Sequence, residues 1–324
     1  MSSVKQIFNS LKSGDRATLE HCISTGQVNP ESRDSQGNSL LHLAAELTRN
    51  ETAIIQLLLS NGWNINAQNS LGASPLHYVA LRKDSGKHVG LLFLEAGADP
   101  NLQTSSGHTP LHIAAERLKP ELAFTLLQHN ANPNALDANS NSPVHALMAN
   151  KARDTVAKEV LEILVNAGAS LGFRNNEGND PLLLAASKGY TKVIQFLFKQ
   201  HVNPCTLNYT GNTIAHEAAA NNHSELLEML LTLEYPFLNS KNKEGNTPLH
   251  LAVIGNHYES ALVLLKRGAS MSAMNTQGKT PVELATQQEK DIFAAKNPGL
   301  VHILTQKQKP SKPEPQTENS CLIQ

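Results

Sequence analysis

A glycine followed five residues later by a histidine recurs in phase along this chain, at Gly37/His42, Gly72/His77, Gly107/His112, Gly211/His216 and Gly245/His250. Three further copies keep the register with a member replaced: Ser140/His145, Gly178/Leu183 and Gly278/Glu283. Successive anchors stand 35, 35, 33, 38, 33, 34 and 33 residues apart. A period of this length constrains the fold more than any composition does. Each period is one supersecondary unit, and such a unit buries its apolar face only against its neighbours. Without the repeat, 324 residues would suggest about two ordinary domains.

The copy at 104–136 shows the mechanics. Ser106-Gly107 is a turn in which glycine can take positive φ. Thr109 is placed to cap a helix, and Pro110 sits at its first position, where the missing N–H costs nothing. Leu111, Ala114 and Ala115 give a small-residue face that lets another helix approach closely. Leu122, Leu126 and Leu127 give the apolar stripe of a second helix, which ends at Asn130-Ala131-Asn132-Pro133-Asn134. With aromatics at 4% of the chain, the core must be aliphatic and rich in alanine.

Thr-Pro-Leu-His at 109–112 and 247–250, Ser-Pro-Leu-His at 74–77 and the ending Gly97-Ala98-Asp99-Pro100-Asn101 resemble the ankyrin repeat. The resemblance covers roughly residues 34 to 306. It implies an all-α fold, an ankyrin-repeat solenoid of helix-turn-helix units joined by short β-hairpin turns. Residues 1–33 read as a truncated N-terminal capping repeat. Residues 34–308 hold eight copies, the last a degenerate cap with Glu283 in the histidine slot, and 309–324 form a flexible, disordered tail. In ankyrin proteins the hairpin tips and first helices line a concave surface that binds other proteins, so the resemblance implies a protein partner there.

The candidate contact residues flank the turn glycines: Asp34, Asn69, Ser70, Thr104, Ser105, His108, Asn175, Asn176, Lys243 and Glu244. Leu71 and Tyr209 are apolar where exposure is expected, which makes them candidate anchors. Scattered exposed apolar residues also occur without function. Trp63 and Tyr235, just after second helices, are expected to pack beneath a hairpin. The path from histidine slot to second-helix end is 18 residues in most copies, 20 in the first two and 23 around His145 to Gly168. The extra residues fall near 47–51, 83–87 and 150–155, between helices, as tolerated variation or local binding features.

Several chemistries lack their residues. Six of the fourteen histidines (His42, His77, His112, His145, His216 and His250) hold one repeat slot, which predicts local bonding to the turn backbone rather than convergence on a metal. His216-Glu217 begins like HExxH but lacks the second histidine. There is no GxxxxGK[ST], no dinucleotide fingerprint and no nucleophile elbow. No cofactor and no enzymatic activity are therefore expected. Lys+Arg is 27 against Asp+Glu 28, so no basic field points to nucleic acid. Cys22, Cys205 and Cys321 form no CxxC and cannot all pair, which suits a reducing compartment. The first residues lack an apolar h-region, and Ser2 excludes myristoylation.

The tail carries the second signal. Residues 309–320, with three prolines among mostly polar residues, cannot form a core and read as a mobile linker. They lead to Cys321-Leu322-Ile323-Gln324, the C-a-a-X pattern for prenylation of Cys321, with the terminal glutamine pointing to farnesyl. Protein farnesyltransferase is then a partner, and removal of Leu322–Gln324 with methylation of the new terminus is implied. One lipid chain alone holds a protein only reversibly. The nearby Lys307, Lys309 and Lys312 are offset by Glu314 and Glu318, so the basic second signal is weak.

The sequence thus predicts a non-enzymatic adaptor that binds a protein partner and sits on the cytosolic face of a membrane through Cys321. A soluble scaffold or inhibitor with an unmodified C-terminus is the alternative. Ankyrin repeats joined to a C-a-a-X box resemble type IV secreted effectors of vacuole-dwelling bacteria, which act at host membranes. Some of those carry an N-terminal F-box, for which the capping repeat leaves no room here.

Overall fold

The computed structural model describes residues 7, 11, 15–48, 51–150, 154–233 and 237–285. These divide between two compact units, Met1–Asn176 and Glu177–Gln324. The described residues are helical, with no β-strand among them. The all-α ankyrin solenoid expected from the repeat is the fold observed.

The first unit opens with α1 (Arg16–Ser24), capped by the Asp15 side chain on the Thr18 N–H at 3.1 Å. Helix pairs follow: α2 (Leu40–Ala44) with α3 (Glu51–Ser60), α4 (Pro75–Leu81) with α5 (Lys87–Glu95), α6 (Pro110–Glu116) with α7 (Pro120–Gln128), and α8 (Pro143–Met148) with α9 (Asp154–Asn166). The second unit holds α10 (Pro181–Lys188) with α11 (Thr191–Lys199), α12 (Ile214–Ala220) with α13 (Ser224–Leu230), α14 (Pro248–Ile254) with α15 (Tyr258–Lys266), and the short α16 (Pro281–Leu284).

Within each unit, every first helix packs on its own second helix and on the first helix of the next copy. Alanines make this close approach possible: Ala44, Ala80, Ala114 and Ala115 in the first unit, and Ala185, Ala186, Ala218, Ala219 and Ala252 in the second, are fully buried. The second helices contribute the bulk, with Ile54, Leu58, Phe93, Leu122 and Leu126 at the centre of the first unit and Val193, Leu197, Leu227 and Leu264 in the second. Each such side chain contributes about 1.5–3 kcal/mol on burial. The expected stripe on α7 needs one correction. Leu122 and Leu126 are buried, but Leu127 is half-buried, and Ala123 takes its share of the inward face.

The inter-helix additions are partly structural. Between α4 and α5, Arg82 runs back to donate to the carbonyls of Ala45 and Leu47 just past α2, and its guanidinium also clasps Asp84. Lys119 Nζ donates to the Arg82 carbonyl at 2.6 Å in turn. Burial pushes that lysine down to about 8. Of the extra residues at 83–87, Asp84 takes part by holding the Arg82 guanidinium, a use that spacing alone did not show.

Candidate protein-binding surface

The turns between copies form the surface on which the candidate residues lie. Each turn closes through two backbone bonds. In the first, Asp34 N–H donates to Asn38 O at 3.0 Å and Gly37 N–H to Asp34 O at 3.1 Å. The first turn residue is usually Asp or Asn because its side chain accepts from backbone N–H groups two and four positions on, as Asn69 Oδ1 does from Leu71 at 2.9 Å and Ala73 at 3.0 Å. The turn glycine sits at positive φ and lies under the next turn. A Cβ on Gly107, at φ +82, would stand 2.7 Å from the Ala138 nitrogen.

Successive turns are tied twice. One tie is backbone: Ser70 N–H donates to Gln36 O, Ser105 to Leu71 O and Ala138 to Ser106 O in the first unit, and Lys243 to Thr210 O and Thr276 to Glu244 O in the second, all at 2.8–3.0 Å. The other is a ladder of amides. Asn69 Nδ2 donates to Asn38 Oδ1 at 2.7 Å and Asn175 Nδ2 to Asn141 Oδ1 at 3.0 Å. In the second unit the rungs are Asn208 to Asn179, Asn242 to Asn212 and Asn275 to Asn246, at 3.1, 2.9 and 3.0 Å. Glu217 accepts from both Asn208 and Asn212, at 3.0 and 2.9 Å, and burial pushes its carboxyl above the usual range. Tyr78 holds the equivalent place on the Asn38–Asn69 rung.

The repeat histidines form a third tie, beyond the local role expected for them. In each, Nδ1 accepts from the N–H of the residue capping its helix, Ser39 onto His42 at 3.1 Å and Thr213 onto His216 at 3.2 Å among them. That fixes the proton on Nε2, which donates to a carbonyl of the following copy. His42 reaches Ala73 at 2.9 Å, His77 reaches His108 at 3.0 Å, and His112 reaches Asn141 at 3.0 Å. His216 reaches Asn246 at 2.9 Å and His250 reaches Lys279 at 3.1 Å. Burial lowers the basicity of all five, to about 4 for His77 and His216. Glu283 reproduces the first of these two bonds, its carboxylate accepting from Thr280 N–H at 2.8 Å.

The named candidates separate on this frame. Leu71 is 69% exposed and Tyr209 59%, in different units. His108 is half-exposed and its Nε2 meets Asp137 Oδ2 at 3.2 Å. Ser70, Ser105, Asn176, Lys243 and Glu244 are exposed, as a contact role requires. Asn69 and Asn175 are not: both are buried rungs of the amide ladder, and their side chains are spent on the stack. Trp63 is 4% exposed and packs inside, as expected; its indole N–H finds no acceptor among the described residues. Tyr235 and the lipidation residues Cys321, Leu322, Ile323 and Gln324 lie outside the described residues. Sequence reasoning missed Leu136, Leu207 and Met274, exposed at the position before the first turn residue, a slot filled elsewhere by residues such as Gln68, Gln103 and Lys241.

Among the described residues, no three His, Cys, Asp or Glu side chains are grouped to hold a metal ion. None of the described helices is long and apolar enough to cross a membrane. The turns are cross-tied rows with varied side chains at the tips, an arrangement suited to recognition.

Comparison with known proteins agrees with this construction. The chain matches the family of ankyrin repeats over residues 7–104, 76–158 and 152–242, and again over 237–285. It belongs to the ankyrin-repeat family, whose repeats are protein-interaction scaffolds. Among its relatives is the transient receptor potential cation channel subfamily A member 1 homolog of Caenorhabditis elegans, 30% identical over 135 residues, which covers 42% of this chain and 11% of that one. The nuclear factor NF-kappa-B p105 subunit of Gallus gallus is 28% identical over 158 residues, covering 47% of this chain and 16% of that protein. The E3 ubiquitin-protein ligase XBAT32 of Arabidopsis thaliana is 28% identical over 171 residues, covering 44% and 33%. The chain thus spans a third or less of these relatives' lengths. The crystal structure of the human ASB11 ankyrin repeat domain superposes with a TM-score of 0.59 at 22% identity, over 67% of this chain and 93% of that domain, which speaks to the fold.

Proposed function

We propose that this protein is a non-enzymatic adaptor that engages a protein partner through its turn tips and is carried to the cytosolic face of a membrane by a farnesyl group on Cys321. The observation that supports partner binding is the pair of large apolar side chains, Leu71 and Tyr209, held out on turns whose backbones are already bonded. Exposing them forgoes the stabilisation that burial would give, and aromatic anchors are enriched at binding hot spots. Support for the membrane half is Cys321-Leu322-Ile323-Gln324 itself, reached through the Pro-containing segment 309–320. A single lipid with little basic charge beside it gives reversible residence, which simultaneous partner contact would prolong through effective concentration. The joining of repeats to such a box also favours a role as a secreted bacterial effector acting at a host membrane.

Two measurements test this. Mass spectrometry of the C-terminal peptide from prenylating eukaryotic cells should find a farnesyl thioether on Cys321, and Cys321→Ser should move the protein from the membrane to the soluble fraction. A bare thiol, with the membrane fraction unchanged in the variant, refutes anchoring and leaves a soluble scaffold. Selection of a displayed random-peptide library on the immobilised chain should yield saturable binders that weaken for Leu71→Ala or Tyr209→Ala. An absence of binders refutes the adaptor role.

A further inference from the structure

The second helices of the two units end in different charge. In the second unit Lys199 closes α11 and Lys266 closes α15, and the links that follow them bring His201 and Arg267; all four are exposed. Lys199 and Lys266 hold the same position of the repeat two copies apart. At about 8–10 Å per copy they stand about 20 Å from each other along one edge of the unit. The copy between them places the exposed Thr232 there. In the first unit that position holds Ser60, Glu95, Gln128 and Asn166, and the links that follow, through 67, 102, 135 and 173, add Asp99 but no Lys or Arg. A helix dipole draws cations to a C-terminus, but it does so at every second helix, so it does not explain a basic edge confined to one unit.

The basic groups of this edge are unspent. Among the described residues no carboxylate pairs with Lys199, Lys266 or Arg267. The acids of these helices sit nearer the other end: Glu225 and Glu259 in the first turns, the latter accepting from Asn222 at 3.1 Å, and Glu228 one turn after Glu225. At 1.5 Å per residue, Glu259 and Lys266 are about 10 Å apart along α15, close to the screening length of about 0.1 M salt. The adjoining turns are balanced, with Lys241 and Lys243 against Glu177 and Glu244. Glu234 lies outside the described residues. His201 adds an observation of another kind. It keeps an imidazole at φ 57, where four sister copies place Gly62, Gly97, Gly168 and Gly268, so this edge carries a side chain at a conformational cost.

We propose that Lys199, His201, Lys266 and Arg267 rest this edge of the second unit on an anionic lipid surface. The ammonium and guanidinium groups meet headgroup phosphates and carboxylates, which a forked guanidinium matches well, and the His201 ring donates to the same oxygens. None of the large exposed apolar side chains falls within 199–206 or 266–273, so the edge lacks the buried anchor that a compact protein partner requires. Charges spread over about 20 Å suit an extended charged plane instead. The second unit is also the one from which the chain runs on to Cys321, and 309–320, at about 3.1 Å per residue, would reach about 37 Å when extended. The inference rests on the membrane half of the reading above and supplies the second attachment that one lipid lacks.

The test uses the full chain without lipid, sedimented with vesicles of phosphatidylserine and phosphatidylcholine or of phosphatidylcholine alone. Saturable binding should appear only with phosphatidylserine and fall as salt is raised. Each Lys or Arg at an anionic surface is worth about fivefold, so Lys199→Gln should weaken binding about fivefold and Lys266→Gln/Arg267→Gln tenfold or more. Lys87→Gln removes an exposed base from the first unit and should change it less than twofold. All these positions are exposed, so circular dichroism should not change. An absence of binding, equal binding to phosphatidylcholine, a Lys87→Gln loss as large as that of Lys199→Gln, or a loss seen only in Lys309→Gln/Lys312→Gln overturns the proposal. A fluorescein-labelled DNA duplex or acidic peptide that binds through these residues while vesicles do not overturns it in favour of a nucleic acid or a protein. If vesicles bind here but Cys321 is recovered as a bare thiol, the edge stands and the anchor falls; a farnesyl group on Cys321 with vesicles ignored gives the reverse.

Discussion

Acid should loosen this stack through its histidines before it reaches the carboxylates. His77 and His216 are held neutral, each accepting a backbone N–H on Nδ1 and donating from Nε2 to the next copy. Burial holds both at about 4, against 6.5 for a free imidazole. Between those values the unfolded chain binds more protons than the folded one, so stability is complete above pH 6.5 and is lost as pH falls. At pH 5 the loss is about 2 kcal/mol for each of the two sites, and it approaches about 3 kcal/mol below pH 4. His42, His112 and His250 are shifted the same way by burial and add to it. Glu217, raised by burial, works with the opposite sign and so softens the effect in the second unit. The first unit is the cleaner reporter because it contains the chain's one tryptophan, the buried Trp63. Urea titrations followed by its fluorescence should lose about 1 M in midpoint between pH 7.5 and pH 5, given a slope of about 2 kcal/mol/M. His77→Gln should start less stable at pH 7.5, for want of a buried bond, yet decline less by about 2 kcal/mol over the same pH interval. A wild-type midpoint that holds or rises on acidification, or a variant with an undiminished decline, would show that these imidazoles are not what acid acts upon.

Other substitutions test the remaining ties. Arg82→Ala should cost about 2–3 kcal/mol, because the carbonyls of Ala45 and Leu47 lose a charged donor, and Arg82→Lys should recover only part of it, since one ammonium cannot span both carbonyls and Asp84; thermal melts decide. Gly107→Ala should destabilise the first unit by more than about 1 kcal/mol, combining positive φ with a Cβ pressed against the backbone at Asp137 and Ala138; a neutral result in urea would contradict the close approach. His201→Gly should stabilise the second unit by about 0.5–1 kcal/mol, read as a slightly higher melting temperature, because His201 is exposed at φ 57 where four sister copies place Gly62, Gly97, Gly168 and Gly268. Tyr209→Ala should leave stability within about 0.5 kcal/mol, while binding falls.

What the sequence reveals here and what it hides follow from how far each interaction reaches along the chain. The Thr109-Pro110 helix start, the Gly107 turn and the alanine face of α6 are encoded within a few residues, so period and residue type suffice to place them. The histidine slot is legible as a slot, but its second bond lands about thirty residues away, on a carbonyl that carries no sequence signature, as His42 does on Ala73. The same reach defeats the reading of tip residues as contacts. Asn69 and Asp34 look alike as polar turn residues, yet Asn69 Nδ2 is consumed by Asn38 of the preceding copy, whereas a tyrosine one residue along the turn, at 209, has no such partner slot and stays outside. Comparison of copies in register separates the two cases. Where a slot repeatedly carries a residue that ties neighbours, as Gln68 and Gln103 do, its chemistry belongs to the stack; Leu136, Leu207 and Met274 fill the same slot with exposed apolar side chains, which bring no donor to it. The regular positions revealed the fold of this chain because each tie recurs at the period, whereas a departure confined to one copy has no repeat to make it legible.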